Sequence, residues 1–410
     1  MKKYLGIMLI ALFSFSCMEL DDPIGYIGME DKIPPAFEII SPLPNQEVKD
    51  YADFVIKFKS SDYSALNFNI GNQSLYFEKI YSENTINPLY RIYLHYYNGD
   101  KEIVVSAKDV NQNLAEKSII LNIKSSVEQF TYIGGINDFC EDKSGIIWFG
   151  TGKGLFFQEG SNEIQSAIGF DLVNPSVGSI AVDSKNTLWL KYGNRNSSDT
   201  PKLIHYNGTQ IIGNYRIYDG YNAQAYYFDS FVFDSNDSLW GVWLDGFFSY
   251  KDENWNIYHS AFNDRLANPV VDRNDNIIFQ GAYGINYFKK GRLSKVNYPY
   301  RISHGMIKDI NDHLWFVAYD DDYSKKFVLE YNGSEWIKHD YIQENDEIKS
   351  FAIDNQGSIW IASGSYIWKY TDKKVEQKFY FFNSANQIFV DSKNRIWLDQ
   401  GNGVFLINND

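Results

Sequence analysis

One spacing recurs through the C-terminal two thirds of the chain: an aspartate is followed six residues later by a large apolar residue, usually tryptophan. A turn of Gly, Asn, Asp or Ser separates the two, with an apolar run before the Asp and a Trp-containing run after it. Each copy therefore predicts a β-hairpin. The seven copies are Asp142…Trp148, Asp183…Trp189, Asp234…Trp240, Asp272…Ile278, Asp309…Trp315, Asp354…Trp360 and Asp391…Trp397.

These copies start 37 to 51 residues apart, which leaves room for four strands in each repeat. A repeat of that length is typical of propeller blades, so the sequence predicts an all-β chain with a seven-bladed β-propeller over residues 125–410. Because the pair recurs in repeat after repeat, we expect it to be structural, with the Asp bonding its own turn and the Trp packing between sheets. The last repeat holds only three strands, and we expect residues 127–133 to supply the fourth and close the ring.

The first copy, Glu141-Asp142-Lys143-Ser144-Gly145-Ile146-Ile147-Trp148-Phe149-Gly150-Thr151, resembles the signature of the two-component regulator propeller family. Later copies lose the Gly-Thr, and the fourth has Ile278 in place of Trp. The resemblance implies a propeller of the kind that commonly forms the extracytoplasmic sensor of membrane-bound histidine kinases. Because the sequence shows no kinase segment after the repeats, we expect a sensor-like binding role without signal transduction by this chain.

Residues 34–124 contain short alternating or apolar runs divided by turns, such as 54–58 and 103–107. Strands at this spacing predict a small β-sandwich. The region resembles bacterial immunoglobulin-like domains in its segments 41–45 and 107–113, without the Cys…Trp…Cys pattern of antibody domains. The resemblance implies a spacer, with adhesion as the alternative.

The N-terminus places two lysines before an apolar run, residues 4–16, that is too short to span a bilayer and is typical of an export signal. Residues 12–17 resemble the bacterial lipoprotein signal, although Ser14 stands where that family usually has Leu. We therefore predict a signal peptide over 1–16, lipidation of Cys17 and a tether over 17–33. The alternative is an ordinary signal peptide with an incidental cysteine.

The residues after Cys17 bear on the compartment. Met18 in place of Asp resembles outer-membrane sorting of lipoproteins, and Glu19, Asp21 and Asp22 resemble the acidic surface-export tag of Bacteroidetes lipoproteins. The resemblance implies a cell-surface protein that is lipid-anchored in the outer membrane and faces the exterior.

Candidate ligand-binding residues come from the loops that should share one face of a propeller: those between strands two and three of a blade and those between blades. Aromatic rings beside Asn, Asp and Arg suit a neutral sugar or a peptide, since they offer a stacking face and short polar groups. The alternative is chance, because aromatic residues make up 17% of the chain. The candidates are Tyr192, Arg195, Tyr226, Trp243, Tyr283, Tyr300, Arg301, His304 and Tyr319.

Other classes of site are not indicated. A formal net charge of −14 without any basic run argues against a nucleic-acid partner. The six histidines are dispersed, and the Asp-rich turns lack the Gly and distal Glu of an EF-hand, so neither a metal nor a cofactor is predicted. Asp320-Asp321-Asp322 is the best remaining cation candidate, with a solvated loop as the favoured alternative. Cys140 is expected to be a small buried hydrophobic residue without a disulfide.

Three functions fit these features. The first is a surface lipoprotein that binds a glycan, a peptide or a partner protein through the loop-rich face of the propeller. The second is a structural or assembly scaffold in an envelope complex. The third is a propeller lyase or glycosidase, which would need an acid pair near Arg301 and His304. No catalytic residue is predicted, because no known catalytic motif occurs, and the binding module is our prediction.

Overall fold

The computed structural model describes residues 32–59, 63–80, 87–160, 162–170, 176–193, 202–216, 228–243, 246–259, 265–320, 322–323, 325–339, 348–372, 374–381, 383–401 and 403–409. Every helix or strand assigned within these ranges is a β-strand, which confirms the predicted all-β class. Across the same ranges, no helix has the length and apolar character needed to cross a membrane.

The first nine strands form two sheets, with the orders β1-β3-β7-β6 and β2-β9-β8-β4-β5. Their bounds are β1 (Phe37–Ser41), β2 (Glu47–Lys49), β3 (Tyr51–Phe58), β4 (Tyr63–Ile70), β5 (Gln73–Ser74), β6 (Phe77–Ile80), β7 (Leu89–Tyr93), β8 (Gly99–Asp109) and β9 (Leu114–Lys124).

These two sheets pack on one apolar core. Strand β3 shows why, because Ala52, Phe54 and Ile56 are buried while the residues between them are more exposed, as the two-residue period of a strand requires. Phe54 meets Phe68 of the other sheet in an edge-on contact, with ring centroids 5.1 Å apart. The region is therefore a β-sandwich, and its immunoglobulin-like character stays a prediction.

The remaining strands form seven antiparallel sheets of four strands each. Sheets 1 to 3 consist of β11 (Ile136–Glu141), β12 (Ile147–Thr151), β13 (Gly154–Gln158) and β14 (Gln165–Ser166); β15 (Val177–Val182), β16 (Leu188–Tyr192), β17 (Lys202–Tyr206) and β18 (Ile211–Tyr215); and β19 (Phe228–Phe233), β20 (Leu239–Trp243), β21 (Gly246–Lys251) and β22 (Asn254–His259). Sheets 4 to 6 consist of β23 (Ala267–Val271), β24 (Ile277–Gln280), β25 (Gly284–Lys289) and β26 (Arg292–Asn297); β27 (Ile302–Lys308), β28 (Leu314–Tyr319), β29 (Lys326–Tyr331) and β30 (Trp336–His339); and β31 (Ile348–Ile353), β32 (Ile359–Ser363), β33 (Tyr366–Thr371) and β34 (Lys374–Tyr380).

Sheet 7 joins the two ends of the repeat region. It consists of β35 (Gln387–Val390), β36 (Ile396–Asp399), β37 (Val404–Ile407) and, as its outer strand, β10 (Val127–Phe130). Val127 lies opposite Ile407 and Phe130 opposite Val404. This confirms the prediction that a strand preceding the first repeat completes the last sheet, and β10 ends at Phe130 rather than at residue 133.

The recurring Asp and Trp are joined by a hydrogen bond inside each hairpin that carries both. In sheet 1, Asp142 Oδ1 accepts the backbone N–H of Ser144 and Ile146 at 2.8 and 3.1 Å, while Oδ2 accepts from Trp148 Nε1 at 3.0 Å. The same Asp–Trp bond occurs at 2.9–3.1 Å in sheets 2, 3, 5, 6 and 7. The carboxylate thus fixes the turn and satisfies the only polar atom of the packed indole.

Sheet 4 shows a replacement for this bond. Its hairpin has Ile278 at the Trp position, and the side chain of Asn276 donates to Asp272 Oδ2 at 2.7 Å instead. The backbone bonds from Asn274 and Asn276 to Oδ1, both 2.9 Å, are kept. The turn therefore keeps its conformation without the Trp, because the Asn276 side chain donates to the Asp272 oxygen that the Trp would otherwise bind.

Further hydrogen bonds run from sheet to sheet through these turns, and we call them the inter-sheet belt. The residue after the motif Asp donates its backbone N–H to the side chain three positions after the motif Asp of the next sheet. At the junction from sheet 7 to sheet 1, where that position is Gly145, Glu141 accepts instead. The bonds are Lys143–Asn186 (2.7 Å), Ser184–Asp237 (2.7 Å), Ser235–Asp275 (3.0 Å), Arg273–Asp312 (3.3 Å), Asn355–Asn394 (2.8 Å) and Ser392–Glu141 (2.6 Å). At the junction from sheet 5 to sheet 6, the accepting position is Gly357, which has no side chain.

The sandwich contacts sheet 6 along its outer strand. Glu78 accepts hydrogen bonds from Tyr366 Oη at 2.7 Å and from Lys378 Nζ at 2.8 Å, and Tyr76 stacks on Tyr380 at 3.7 Å between ring centroids. Burial raises the pKa of Glu78, but the hydrogen bonds from Lys378 and Tyr366 outweigh it and hold that pKa below its usual value.

A second contact between the sandwich and sheet 6 is aromatic. His95 is 1% exposed and packs against Phe381, with ring centroids 4.7 Å apart, and against Phe379 at 6.2 Å. Lys378 and Tyr380 point to one face of β34 and Phe379 to the other, as the two-residue period of a strand requires. The sandwich therefore contacts side chains on both faces of sheet 6 at its outer strand, β34.

Candidate functional site

The connections of the seven sheets fall on two opposite faces. Antiparallel strands reverse direction at each connection, so the Asp turns, which join strands one and two, share one face. The connections between strands two and three, and those from one sheet to the next, share the other. We call these the turn face and the loop-rich face.

Three predicted ligand-binding residues come together with Tyr323 on the loop-rich face of sheets 4 and 5. We call Tyr283, Arg301, Tyr319 and Tyr323 the aromatic–cation cluster. Arg301 Nη1 donates to Tyr323 Oη at 3.3 Å, and its guanidinium carbon lies 5.3 Å from the centroid of that ring. Tyr319 and Tyr323 have centroids 5.8 Å apart, and the Tyr319 backbone N–H donates to the Arg301 carbonyl at 2.9 Å. That backbone bond ties the connection between sheets 4 and 5 to the start of the strand two–three loop of sheet 5.

Two lysines extend the pairing of rings and cations. Lys326 Nζ lies 5.4 Å from the centroid of Tyr319, and Lys295 Nζ lies 5.4 Å from that of Tyr283. Such contacts hold a ring in place without hiding it. Tyr283 is 71% exposed and Tyr323 is 55% exposed, so both rings are presented to solvent.

The charge at the centre of the cluster is permanent. The Tyr323 phenol, which accepts the hydrogen bond, raises the pKa of the Arg301 guanidinium above its usual value, and the phenols of Tyr319 and Tyr283 add to the effect. Tyr283 thus lies within electrostatic reach of Arg301 although another sheet supplies it. An arginine in this setting stays protonated at every physiological pH.

Tyr323 occupies an unusual backbone conformation. Its φ is 61°, in the left-handed region that bulky residues rarely adopt, and its N–H closes a tight turn on the Asp320 carbonyl at 3.2 Å. A bulky residue there costs on the order of 1 kcal/mol. The turn holds Tyr323 in this strained conformation, and the residue remains 55% exposed to solvent.

This arrangement is suited to holding a ligand. Exposed tyrosine rings can stack on the apolar face of a sugar or on a peptide side chain, and the fixed guanidinium can donate hydrogen bonds to ligand oxygens. The cluster itself contains neither a carboxylate nor a thiol for general acid–base or nucleophilic chemistry.

Other predicted ligand residues lie elsewhere. Tyr300 is half-buried and packs edge-on against Phe327 at 5.0 Å, next to the cluster but turned to the core. Tyr192 packs half-buried on the core of sheets 1 and 2. Trp243 is only 2% exposed, with its indole stacked on Phe248, and its role as a ligand contact stays a prediction. Tyr226, Arg195, the His304 side chain and the lipidation residue Cys17 lie outside what the structure describes.

The sequence-based candidates omitted Tyr323 and the two lysines. The signal for Tyr323 was its place beside Asp320, Asp321 and Asp322, a loop that belongs to no repeat. Lys295 and Lys326 lie in ordinary strand positions of β26 and β29, so only the fold brings them to the rings.

Among the described residues no group of three or more His, Cys, Asp and Glu side chains is arranged to hold a metal ion. The nearest grouping is Glu330, whose two oxygens lie 2.7 Å from His313 Nδ1 and 2.8 Å from His339 Nε2, so the three side chains satisfy one another. Cys140 packs on the core of sheets 1 and 2, and burial raises the pKa of its thiol.

A comparison with known protein families identifies a similarity in the first hairpin of the repeat region. The model of the two component regulator propeller family matches residues 134–153, which cover the first hairpin. This stretch of the chain is similar to a repeat of that family. No curated protein matches the sequence.

Solved structures show the fold of the region that carries this repeat. The extracellular domain of a hybrid two-component system from Bacteroides thetaiotaomicron is 16% identical, with a TM-score of 0.54 over 69% of this chain and 40% of that one. Streptogramin B lyase is 15% identical, with a TM-score of 0.56 over 69% of this chain and 97% of that one. PorZ, a surface component of the type IX secretion system of Porphyromonas gingivalis, is 10% identical, with a TM-score of 0.51 over 88% of this chain and 68% of that one.

These structures are β-propellers, and the repeat region shares their fold. Two of the three are extracellular or surface proteins. The chain spans only 40% of the two-component extracellular domain. At these identities the likeness establishes the fold and leaves the activity to be argued from the site.

Proposed function

We propose that this protein is a cell-surface binding module in which the aromatic–cation cluster of a seven-bladed propeller holds a glycan or peptide. The observation that carries the proposal is the convergence of Tyr283, Arg301, Tyr319 and Tyr323, from two sheets, on the face that varies between repeats. Seven four-stranded sheets, closed by β10 on β37, support the blade count.

The proposal includes the setting of the module. Cys17 carries the lipid anchor, the chain faces the exterior of the outer membrane, and the immunoglobulin-like sandwich holds the propeller away from the bilayer. The resemblance of residues 12–17 to lipoprotein signals supports the anchor. The surface and extracellular setting of two structural neighbours supports the location.

A scaffold in an envelope complex is the second candidate. It is favoured by the likeness to PorZ, which serves a secretion system at the cell surface and resembles this chain over 88% of its length. A propeller lyase or glycosidase would need acidic catalytic groups beside Arg301. The aromatic–cation cluster itself supplies rings and cations, and Asp320 and Asp322 lie in the same loop as Tyr323.

The test is a screen of the purified protein on a glycan array and by polysaccharide pulldown, read for both retention and turnover. Arg301→Ala and Tyr323→Ala are expected to weaken retention about tenfold, the effect of losing roughly 1.4 kcal/mol of binding free energy. Tyr132→Ala is the matched control, because Tyr132 is also an exposed loop-region tyrosine paired with a lysine, Lys153, at 4.8 Å. Turnover of a glycan would favour the enzyme, and equal retention by all variants would contradict the proposed site.

A further inference from the structure

A cavity lies between the sandwich and sheet 6. It is a cleft of about 560 Å³, within the size range of small-molecule sites, which often form between domains. The sandwich contributes residues 41–42, 46–53 and Arg91, and β34 contributes residues 376–379. No residue of the aromatic–cation cluster lines it, so this is a separate site.

Tyr51 gives the cleft a fixed aromatic surface. The guanidinium carbon of Arg91 lies 4.1 Å from the centroid of the Tyr51 ring. Arg91 is held in turn by Asp53, to which its Nε and Nη2 donate at 2.7 and 2.8 Å. The ring is 43% exposed although Arg91 covers part of it, so it is pre-organised on one side and open to a ligand.

Five of the seven charged side chains that line the cleft have partners. Besides the Arg91–Asp53 pair, Lys378 is bound to Glu78 at 2.8 Å, and Glu376 lies 3.5 Å from Lys369. Asp50 accepts the backbone N–H and the hydroxyl of Ser126 at 2.6 and 2.7 Å. An ionic ligand would have to displace these partners and would gain little. The other two, Glu47 and Lys49, are exposed and opposite in charge, so together they add no net charge to the cleft.

Groups suited to a neutral ligand are present on both walls. Gln46 and Gln377 are exposed and bring carboxamides from the sandwich and from sheet 6. Carboxamides donate and accept hydrogen bonds without carrying charge, which matches hydroxyl groups. A sugar ring combines such hydroxyls with an apolar face that can stack on tyrosine.

We propose that the cleft between the sandwich and sheet 6 binds a neutral saccharide stacked on Tyr51. This goes beyond the function proposed for the loop-rich face and does not depend on it. The junction of the two regions is thereby a binding site in its own right, and the sandwich does more than space the propeller from the membrane.

The test is affinity electrophoresis of the whole protein in native gels that contain dextran, xylan or mannan, with alginate as the acidic polymer. At least one neutral polymer is expected to retard the wild-type chain. Tyr51→Ala should weaken that affinity about tenfold, while Tyr51→Phe and Tyr132→Ala, a substitution outside both the cleft and the aromatic–cation cluster, should be retarded like the wild type. Gln377→Ala, at an exposed position, provides a second cleft variant should Tyr51→Ala melt abnormally, and it is expected to weaken retardation several-fold.

Three outcomes would overturn the inference. The first is no retardation by any neutral polymer. The second is retardation by alginate alone. The third is retardation that Tyr51→Ala and Gln377→Ala leave unchanged, and if Tyr283→Ala abolishes that retardation, the binding belongs to the loop-rich face and the function proposed there stands without the cleft.

Discussion

The turn face and the loop-rich face are built from the same seven repeats and differ in what they repeat. On the turn face, the motif Asp accepts the same two backbone bonds in every sheet, and six of the seven turns add the Trp bond. On the loop-rich face, neighbouring sheets place different residues in corresponding connections: Trp243 is buried, while Tyr283 and Tyr323 are exposed. The difference teaches that a role filled alike in every repeat stabilises the ring, whereas the binding site that we propose lies where the repeats diverge.

Deletion of β37, the strand that pairs with β10, should have the largest effect on stability. It opens the ring of sheets to which both faces belong. Deleting residues 402–410 takes away β37, in which Val404, Phe405, Leu406 and Ile407 are at most 2% exposed. At about 1.5–3 kcal/mol for each buried side chain, the loss is on the order of 6–12 kcal/mol, enough to abolish a cooperative melt of the propeller. Calorimetry checks this, with deletion of residue 410 alone as the control. An unchanged melt would mean that β10 does not close the ring.

Removal of one motif Asp tests the turn face itself. Asp354 is 3% exposed and accepts from Gln356, Ser358 and Trp360, so Asp354→Ala should cost about 2–3 kcal/mol. Urea melts of Asp354→Ala, Trp360→Phe and the double variant should show a coupling of at least about 0.5 kcal/mol. Asp354→Ala combined with Trp148→Phe, in another sheet, should be additive. Equal coupling in both pairs would show that the Asp–Trp bond is not the stabilising contact.

Acid sensitivity near pH 6 should be larger at the sandwich junction than at the turn face, where burial also lowers the pKa of His205. Burial lowers the pKa of His95 to about 3 from the ordinary 6.5, so below pH 6.5 the unfolded chain takes up a proton that the folded chain refuses. Stability is therefore lost as pH falls below about 6.5, by about 2 kcal/mol at pH 5. His95→Phe should gain that amount over the wild type between pH 8 and pH 5 in chemical unfolding. A gain independent of pH would refute this assignment.

The inter-sheet belt can be tested with one substitution that should lower stability and one that should raise it. Asn394→Gly removes an acceptor and should destabilise the protein by about 1 kcal/mol. Gly357→Asn supplies the acceptor that the junction of sheets 5 and 6 lacks, at a φ of 84° that asparagine tolerates and with nothing within 4 Å of the new Cβ. It should raise stability by roughly 0.5–1 kcal/mol in thermal melts. If both substitutions destabilise equally, the belt is incidental to the turns.

Tyr323→Gly should produce the smallest change in stability and thereby sharpen the comparison. Glycine relieves the left-handed strain at φ 61°, so the melting temperature is expected to stay the same or rise by the equivalent of at most about 1 kcal/mol. Tyr132→Gly, at a loop tyrosine outside that region of φ, is the control for a simple loss of side chain. A marked fall in the melting temperature of Tyr323→Gly would place Tyr323 among the structural residues.

The turn face could be read from the sequence because its chemistry is local. Asp142 and Trp148 are six residues apart on one hairpin, so their spacing alone fixes the strands and the turn. The closure by β10 was also foreseeable, since the last repeat falls one strand short. The Asp–Trp hydrogen bond and the belt were not, because side-chain direction and the offset between sheets depend on the assembled ring.

The loop-rich face was only partly predictable. Trp243 and Tyr283 both lie at connections between strands two and three, and no local pattern in the sequence separates a buried ring from an exposed one at that position. Their fates differ because Trp243 stacks on Phe248 two residues beyond Gly246, whereas Tyr283 precedes Gly284 and remains in solvent. The pairing of Arg301 with Tyr323 depends on the register of β27 against β28, which no local pattern records.

The central claim is that binding and stability reside on opposite faces of one ring, and parallel measurement of ligand affinity and melting temperature tests it most directly. The ligand is the strongest binder from the glycan and polysaccharide screen, titrated calorimetrically against the wild type, Tyr323→Gly and Asn394→Gly. We predict that Tyr323→Gly binds about tenfold more weakly and melts like the wild type, whereas Asn394→Gly binds like the wild type and melts earlier. Weakened binding by Asn394→Gly together with unaltered binding by Tyr323→Gly would contradict the account.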